Sequence, residues 1–142
     1  VESLKDPQTP ILIVDDSSQY TLVLSKILKN VFGYQNVTSV ESPDQALQAI
    51  NKDPNRFKML FVDFNFPCGT TGGALLERLN SQHALKDKCA FLITSEPTVD
   101  NVKQASNAGA VGVVAKPFDR EELRKQLDKA ERLSISKRAD SF

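Results

Sequence analysis

Asp15, Asp16, Asp63, Thr94 and Lys116 share one property in this sequence: each stands where a short apolar run stops. Ile11-Leu12-Ile13-Val14 ends in Asp15-Asp16, Met59-Leu60-Phe61-Val62 in Asp63, Phe91-Leu92-Ile93 in Thr94-Ser95, and Val111-Gly112-Val113-Val114-Ala115 in Lys116-Pro117. Three carboxylates converging at one edge repel, and a divalent cation suited to hard oxygen ligands, Mg²⁺, relieves that repulsion. Asp63 ends the run expected to form the central strand, so it is the natural nucleophile; attack of a carboxylate on phosphorus gives an acyl phosphate. The equatorial oxygens of a transferring phosphoryl group need positive charge and hydrogen-bond donors around them. The Lys116 ammonium offers the first as a point charge, and the Thr94 hydroxyl offers a donor. Taken singly, each residue has a plainer reading: an Asp after a strand is usually a cap or turn residue, and a lysine before a proline is usually on the surface. Together, at four strand ends, they point to a site for a metal ion and a phosphoryl group.

The elements that must position these residues follow from the apolar pattern. The four runs are short, β-rich and apolar throughout, which reads as strands covered on both faces. Val37-Thr38-Ser39-Val40 is more mixed and suits a sheet edge. Between the strands lie helical patterns. Leu24, Ile27, Leu28 and Val31 form one stripe. Ser42-Pro43-Asp44-Gln45 is a helix start with a capping serine, a proline at the first position and a glutamine able to reach back. Leu75, Leu76 and Leu79 mark a third helix. Val99, Val102 and Ala105 mark a fourth, ended by Gly109. Asp119 caps a fifth, with Glu122 three residues on and Leu123, Leu127 and Ala130 along its stripe. Strand and helix alternating five times, joined by right-handed crossovers, predict an α/β fold with a parallel sheet and helices on both faces. Ligands bind such a sheet at the carboxyl ends of its strands, where the polar residues stand. Residues 1–9 read as a flexible N-terminal segment, 10–133 as the domain, and 134–142, polar and aperiodic, as a tail or the start of a linker.

Composition narrows the function. The 142 residues suit one domain, and 18 basic side chains balance 18 acidic ones, so no global field attracts nucleic acid. No apolar run approaches the roughly 20 residues that span a bilayer, and the polar start carries no signal-peptide pattern. Cys68 and Cys89 make no disulfide framework or metal spacing, which fits reduced thiols in the cytoplasm. Cys68 follows the acceptor closely enough to raise redox sensing, but nothing near it in sequence lowers a thiol pKa. His83, the single histidine, lies in the polar end of the third helix and reads as a solvated helix-end residue.

The four motifs resemble those of the receiver domains of two-component response regulators, especially the single-domain chemotaxis type, over about Ile11 to Leu133. They are Ile-Val-Asp15-Asp16, Val62-Asp63-Phe64-Asn65-Phe66-Pro67, Ile93-Thr94-Ser95-Glu96, and Ala108-Gly109-Ala110 leading to Lys116-Pro117-Phe118. The resemblance implies a flavodoxin-like doubly wound sheet in strand order 2-1-3-4-5 and makes Asp63 the phosphoacceptor. It assigns Asp16 to direct Mg²⁺ binding, Asp15 to a companion role often through water, and the Asn65 backbone carbonyl to the metal. Thr94 becomes the hydroxyl that follows the phosphoryl group, Lys116 its ionic partner, and the bond before Pro117 a cis peptide. It implies a sensor histidine kinase, a phosphotransfer protein or a small phosphodonor upstream. An output domain or protein would dock on the face of the fourth helix, fifth strand and fifth helix. The only catalysis implied is the domain's own phosphorylation and dephosphorylation. Asn65 and Glu96, each two residues after a site residue, occupy positions that tune acyl-phosphate hydrolysis in the family.

The sequence departs from that pattern in two places. Val113 stands three residues before the lysine, where most receivers carry an aromatic that swings inward on activation. Either the output is transmitted differently, or Val113 is a plain edge-strand residue whose size matters little. The segment Cys68-Gly69-Thr70-Thr71-Gly72-Gly73 is one residue longer than usual; its glycines either present backbone N–H groups to an anion or let the chain turn into the third helix. A binding module that keeps the site but signals without phosphorylation is the competing function. A carboxylate phosphatase would want Asp-x-Asp after the strand, where Asp63 is followed by Phe64-Asn65, and an FMN site would suffer repulsion from Asp15-Asp16.

Overall fold

A computed structural model describes residues 4–67 and 69–140. The strands β1 (Ile11–Val14), β2 (Val37–Val40), β3 (Met59–Asp63), β4 (Cys89–Thr94) and β5 (Gly112–Ala115) alternate with helices α1 (Ser18–Asn30), α2 (Pro43–Lys52), α3 (Gly72–Ser81), α4 (Val99–Asn107) and α5 (Arg120–Asp140). All strand pairs are parallel, in the order β2-β1-β3-β4-β5. This is the expected flavodoxin-like arrangement.

Every residue of β1, β3 and β4 is buried, whereas the edge strand β2 has none that is. Alternate strand residues feed two cores. Leu12, Val14, Leu60, Val62 and Leu92 pack with Ala46, Ile50, Leu75, Leu76, Leu79 and Ala105 from α2, α3 and α4. Ile11, Ile13, Phe61, Phe91 and Ile93 pack with Leu24, Leu28, Leu123, Leu127 and Ala130 from α1 and α5. Phe61 and Phe91 stack at 5.0 Å in that second core.

The helix starts are set locally. Ser17, Ser42, Thr71 and Thr98 each accept a backbone N–H three residues on, from Tyr20, Gln45, Ala74 and Asn101. Each such cap is worth about 1 kcal/mol. Gln45 does reach back, accepting the Glu41 N–H at 2.7 Å. Gly109 follows α4 with φ of 96°, as a helix-ending glycine should.

Residues 4–9 make contacts with the rest of the chain: Leu4 and Thr9 are buried, Gln35 donates its N–H to the Pro7 carbonyl at 2.8 Å, and Tyr34 donates its hydroxyl to the Leu4 carbonyl at 2.8 Å. A buried tyrosine needs a partner for its hydroxyl, and the segment supplies one. Residues 134–140 continue α5; no Gly or Pro interrupts them, and an existing helix extends at the gain of one hydrogen bond per residue. Val99, Val102 and Ala105 lie in α4 as expected; Val99 and Val102 are 70% and 44% exposed, while Ala105 is buried.

Tyr34 carries a pH signature. Burial, with the charges of Glu131 and Asp128 adding, pushes its pKa from 10.0 to about 12. The folded chain then holds a proton that the unfolded chain gives up, so this contribution to stability is whole below pH 10 and is lost between pH 10 and about 12. Tyr34→Phe is expected to cost about 1 kcal/mol at pH 7 and to show a smaller alkaline decline than wild type, read as the difference between paired thermal melts.

Candidate functional site

Strand register brings the expected residues to one edge. Val14 is level with Val62, so Asp15 leaves β1 beside Asp63. Asp63 is level with Ile93 and Thr94 with Ala115, which sets Thr94 and Lys116 one step further along the same edge. The loops are held by the strands themselves: Phe64 N–H donates to the Ile93 carbonyl at 2.8 Å, and Lys116 N–H to the Thr94 carbonyl at 2.9 Å. The Lys116–Pro117 peptide is cis, as expected.

The three carboxylates converge. Asp15, Asp16 and Asp63 each offer an oxygen within 4.8 Å of the others. Lys116 Nζ lies 3.0 Å from Asp63 Oδ1 and 3.1 Å from Asp15 Oδ2, with its side chain only 9% exposed. Burial pushes the Asp63 carboxyl above the usual carboxylate range; the Lys116 hydrogen bond opposes this, and the charges of Asp15 and Asp16 add to it. Burial disfavours the Lys116 ammonium, yet the hydrogen bond and charge of Asp63, with Asp15 behind them, raise its pKa overall. Lys116 is therefore a cation at neutral pH. An all-oxygen donor set with excess negative charge fits a hard divalent cation.

Access differs among these groups. A cavity of about 430 Å³ is walled by Asp16, Asp63, Asn65 and Lys116, together with Tyr20 and Ser95. Asp16 and Asn65 are exposed. Asp15 is 2% exposed and sits behind them, its Oδ1 accepting the Ser17 N–H at 2.9 Å. The same turn therefore orients Asp15 and starts α1. Thr94 is buried at the strand end, its Oγ1 accepting the Glu96 N–H at 3.0 Å and keeping its own proton to donate. It does not form part of the cavity wall, and neither does the exposed Glu96. His83 is exposed with φ of 59°, just beyond the far end of α3 from the site. Cys68 lies outside the described residues.

Gly72 explains part of the glycine-rich segment. It is the first residue of α3, with Thr71 as cap, and its N–H donates to the Phe64 carbonyl at 2.8 Å. A Cβ there would stand 2.0 Å from the Asp63 carbonyl oxygen. Gly72 and Gly73 are already the first residues of α3, which starts against the Asp63 backbone. Val113 is half-buried, level with Leu92 and packed on the α2–α4 core. Tyr20 was not singled out from the sequence; its only sequence signal is its place in the first turn of a helix that follows Asp16.

A family model described as the response regulator receiver domain matches residues 11–128. This chain belongs to that family. The receiver domain is 31% identical over 119 residues to the chemotaxis protein CheY of Pseudomonas aeruginosa, covering 84% of this chain and 93% of the relative. It is also 31% identical over 129 residues to CheY-3 of Vibrio cholerae, covering 91% and 96%. Its fold matches the structure of Vibrio cholerae CheY4 with a TM-score of 0.74 at 28% identity, covering 86% of this chain and 98% of that one. The receiver domain is thus a module of two-component signalling. Among the described residues, no helix is long and apolar enough to cross a membrane.

Proposed function

We propose that this receiver domain is a phosphorylation switch in which Asp63 accepts a phosphoryl group in the presence of Mg²⁺. The observation that carries the reading is the cluster of Asp15, Asp16 and Asp63 beside one cavity, with the Lys116 ammonium paired to Asp15 and Asp63. Asp16, Asp63 and the Asn65 backbone carbonyl would hold the ion, with Asp15 behind them. Bound there, Mg²⁺ supplies positive charge to the carboxylates and to the phosphoryl oxygens.

The chain's own groups do the rest. Asp63 forms the new O–P bond as the donor's bond to phosphorus breaks, the donor leaving with the bonding pair. Lys116 gives up its pairing with Asp63 to meet a phosphoryl oxygen, and the Thr94 hydroxyl donates to another. Those two groups sit on the loops after β5 and β4, so the acyl phosphate biases the two loops toward one arrangement. Water attack at phosphorus returns Asp63 as carboxylate and releases inorganic phosphate; Asn65, on the cavity wall, is placed to orient that water. A histidine kinase, a phosphotransfer protein or a small phosphodonor supplies the group. The α4–β5–α5 face receives the output partner, a role that the exposure of Val99 and Val102 supports. The domain works in the cytoplasm.

The test uses beryllofluoride, a mimic of the phosphoryl group. With Mg²⁺ present it is expected to raise the melting temperature of the wild-type chain; a ligand at 100 times its dissociation constant stabilises by about 2.7 kcal/mol. Neither beryllofluoride without Mg²⁺ nor the pair on Asp63→Asn is expected to do so. An equal shift in the absence of Mg²⁺ contradicts the reading.

A further inference from the structure

Tyr20 is the one aromatic residue of the cavity wall that also touches the cation of the site. Its ring centroid lies 4.1 Å from Lys116 Nζ. The ring of Phe118 meets it edge-on, at 6.0 Å between centroids and 88° between planes. Two residues of the same short segment, Lys116 and Phe118, thus close on one ring.

The ring's position is determined locally. The Ser17 hydroxyl accepts the Tyr20 N–H at 3.3 Å, and Asp15 Oδ1 accepts the Ser17 N–H. One turn therefore sets both the acidic pair and the aromatic ring. Lysine is a point charge on a flexible stem of four carbons. Two of its contacts, with Asp63 and Asp15, pull it toward the carboxylates. The electron-rich ring face attracts it from another side and occupies space that water would otherwise fill.

We propose that Tyr20 is a positioning residue for the phosphoacceptor reaction, its ring face, braced by Phe118, holding the Lys116 ammonium beside Asp63. The proposal rests on the reading of Asp63 as acceptor. The ring face acts here, not the phenol hydroxyl, so phenylalanine serves equally and an aliphatic side chain of similar bulk does not.

The experiment compares wild type, Tyr20→Phe and Tyr20→Leu as full chains. Each is given acetyl phosphate and MgCl₂, and the initial rate of phosphoryl gain is followed by intact mass; acetate leaves with the bonding pair. Tyr20→Leu is expected to be slower by roughly tenfold, as loss of a largely desolvated cation–π contact implies. Tyr20→Phe is expected within about twofold of wild type, by the same ring-face argument. Calorimetric titration with MgCl₂ is expected to give all three the same affinity, which also shows that the acidic cluster is folded in each. In proton NMR the ring should shift the Lys116 ε-methylene resonances upfield in wild type and Tyr20→Phe, and not in Tyr20→Leu. Wild-type speed in Tyr20→Leu, or a Tyr20→Phe chain as slow as Tyr20→Leu, overturns the role of Tyr20 while leaving Asp63 as acceptor. A tenfold loss of Mg²⁺ affinity in Tyr20→Leu also overturns it, by moving the effect to the metal. No adduct on wild type overturns the acceptor reading, and with it the role of Tyr20.

Discussion

Lys116→Met is expected to slow phosphoryl gain from acetyl phosphate by about 10²- to 10³-fold, the range seen when one preorganised stabiliser of transition-state charge is removed. Methionine keeps most of the stem and removes only the charge. On the proposed reading the loss falls on the chemical step, because the ammonium lies 3.0 Å from Asp63 Oδ1. Metal affinity should move the opposite way. The ammonium occupies oxygens of Asp63 and Asp15, so its removal frees ligands and strengthens Mg²⁺ binding. Stability without metal should fall, because two of the three clustered carboxylates, Asp15 and Asp63, lose their counter-charge. The sign of the pH dependence follows from Asp63, whose pKa burial already raises. A carboxyl that keeps its proton longer when folded makes the chain more stable as pH falls. The deficit of Lys116→Met should therefore be largest at neutral pH and shrink toward pH 4. Calorimetry, melts at two pH values and intact mass read the three effects. A variant that phosphorylates at the wild-type rate would remove Lys116 from the chemistry.

The second large effect concerns Gly72. A Cβ at this position meets the Asp63 carbonyl oxygen at 2.0 Å, its carbon at 2.9 Å and Leu92 Cδ1 at 3.0 Å. Two of these atoms are backbone of Asp63, so Gly72→Ala cannot be absorbed by a rotamer change. Either α3 or the end of β3 must shift. The cost is expected to be about 1–3 kcal/mol, as for other overpacked sites, and the shift should slow phosphorylation as well. Gly73→Ala is the matched comparison: the nearest atoms to its Cβ all belong to the Gln104 side chain, the first being Nε2 at 2.9 Å, and that side chain can rotate away. That variant should lie within about 0.5 kcal/mol of wild type and phosphorylate normally. Similar destabilisation by the two alanines would show that helix flexibility, not the approach to Asp63, explains the glycine pair.

Much of this is legible in the sequence, for a physical reason. Fully buried parallel strands must be apolar throughout, so β1, β3 and β4 stand out from the sequence, and the residues that end them are necessarily neighbours at one sheet edge. The cluster at that edge was readable because its residues are strand-end residues. Contacts that obey no period were not. The N-terminal segment packs through the Tyr34 hydroxyl and backbone carbonyls, which leave no apolar stripe. Val99 has the spacing of a core residue yet faces outward, because spacing defines a face of a helix but not what covers it. The need for glycine at residue 72 comes from a close approach of two backbones. Tyr20 reaches Lys116 across nearly a hundred residues of chain, and no local pattern signals such a contact.

The central claim concerns one oxygen of Asp63, and weighing the intact protein tests it most directly. After incubation with acetyl phosphate and Mg²⁺, the wild-type chain should gain the mass of a single phosphoryl group, and lose it again under mild base as acyl phosphates do. Withholding Mg²⁺, or replacing Asp63 with asparagine, should leave the mass unchanged. A phosphoryl adduct that persists in Asp63→Asn, or forms equally well without the metal ion, would contradict the account.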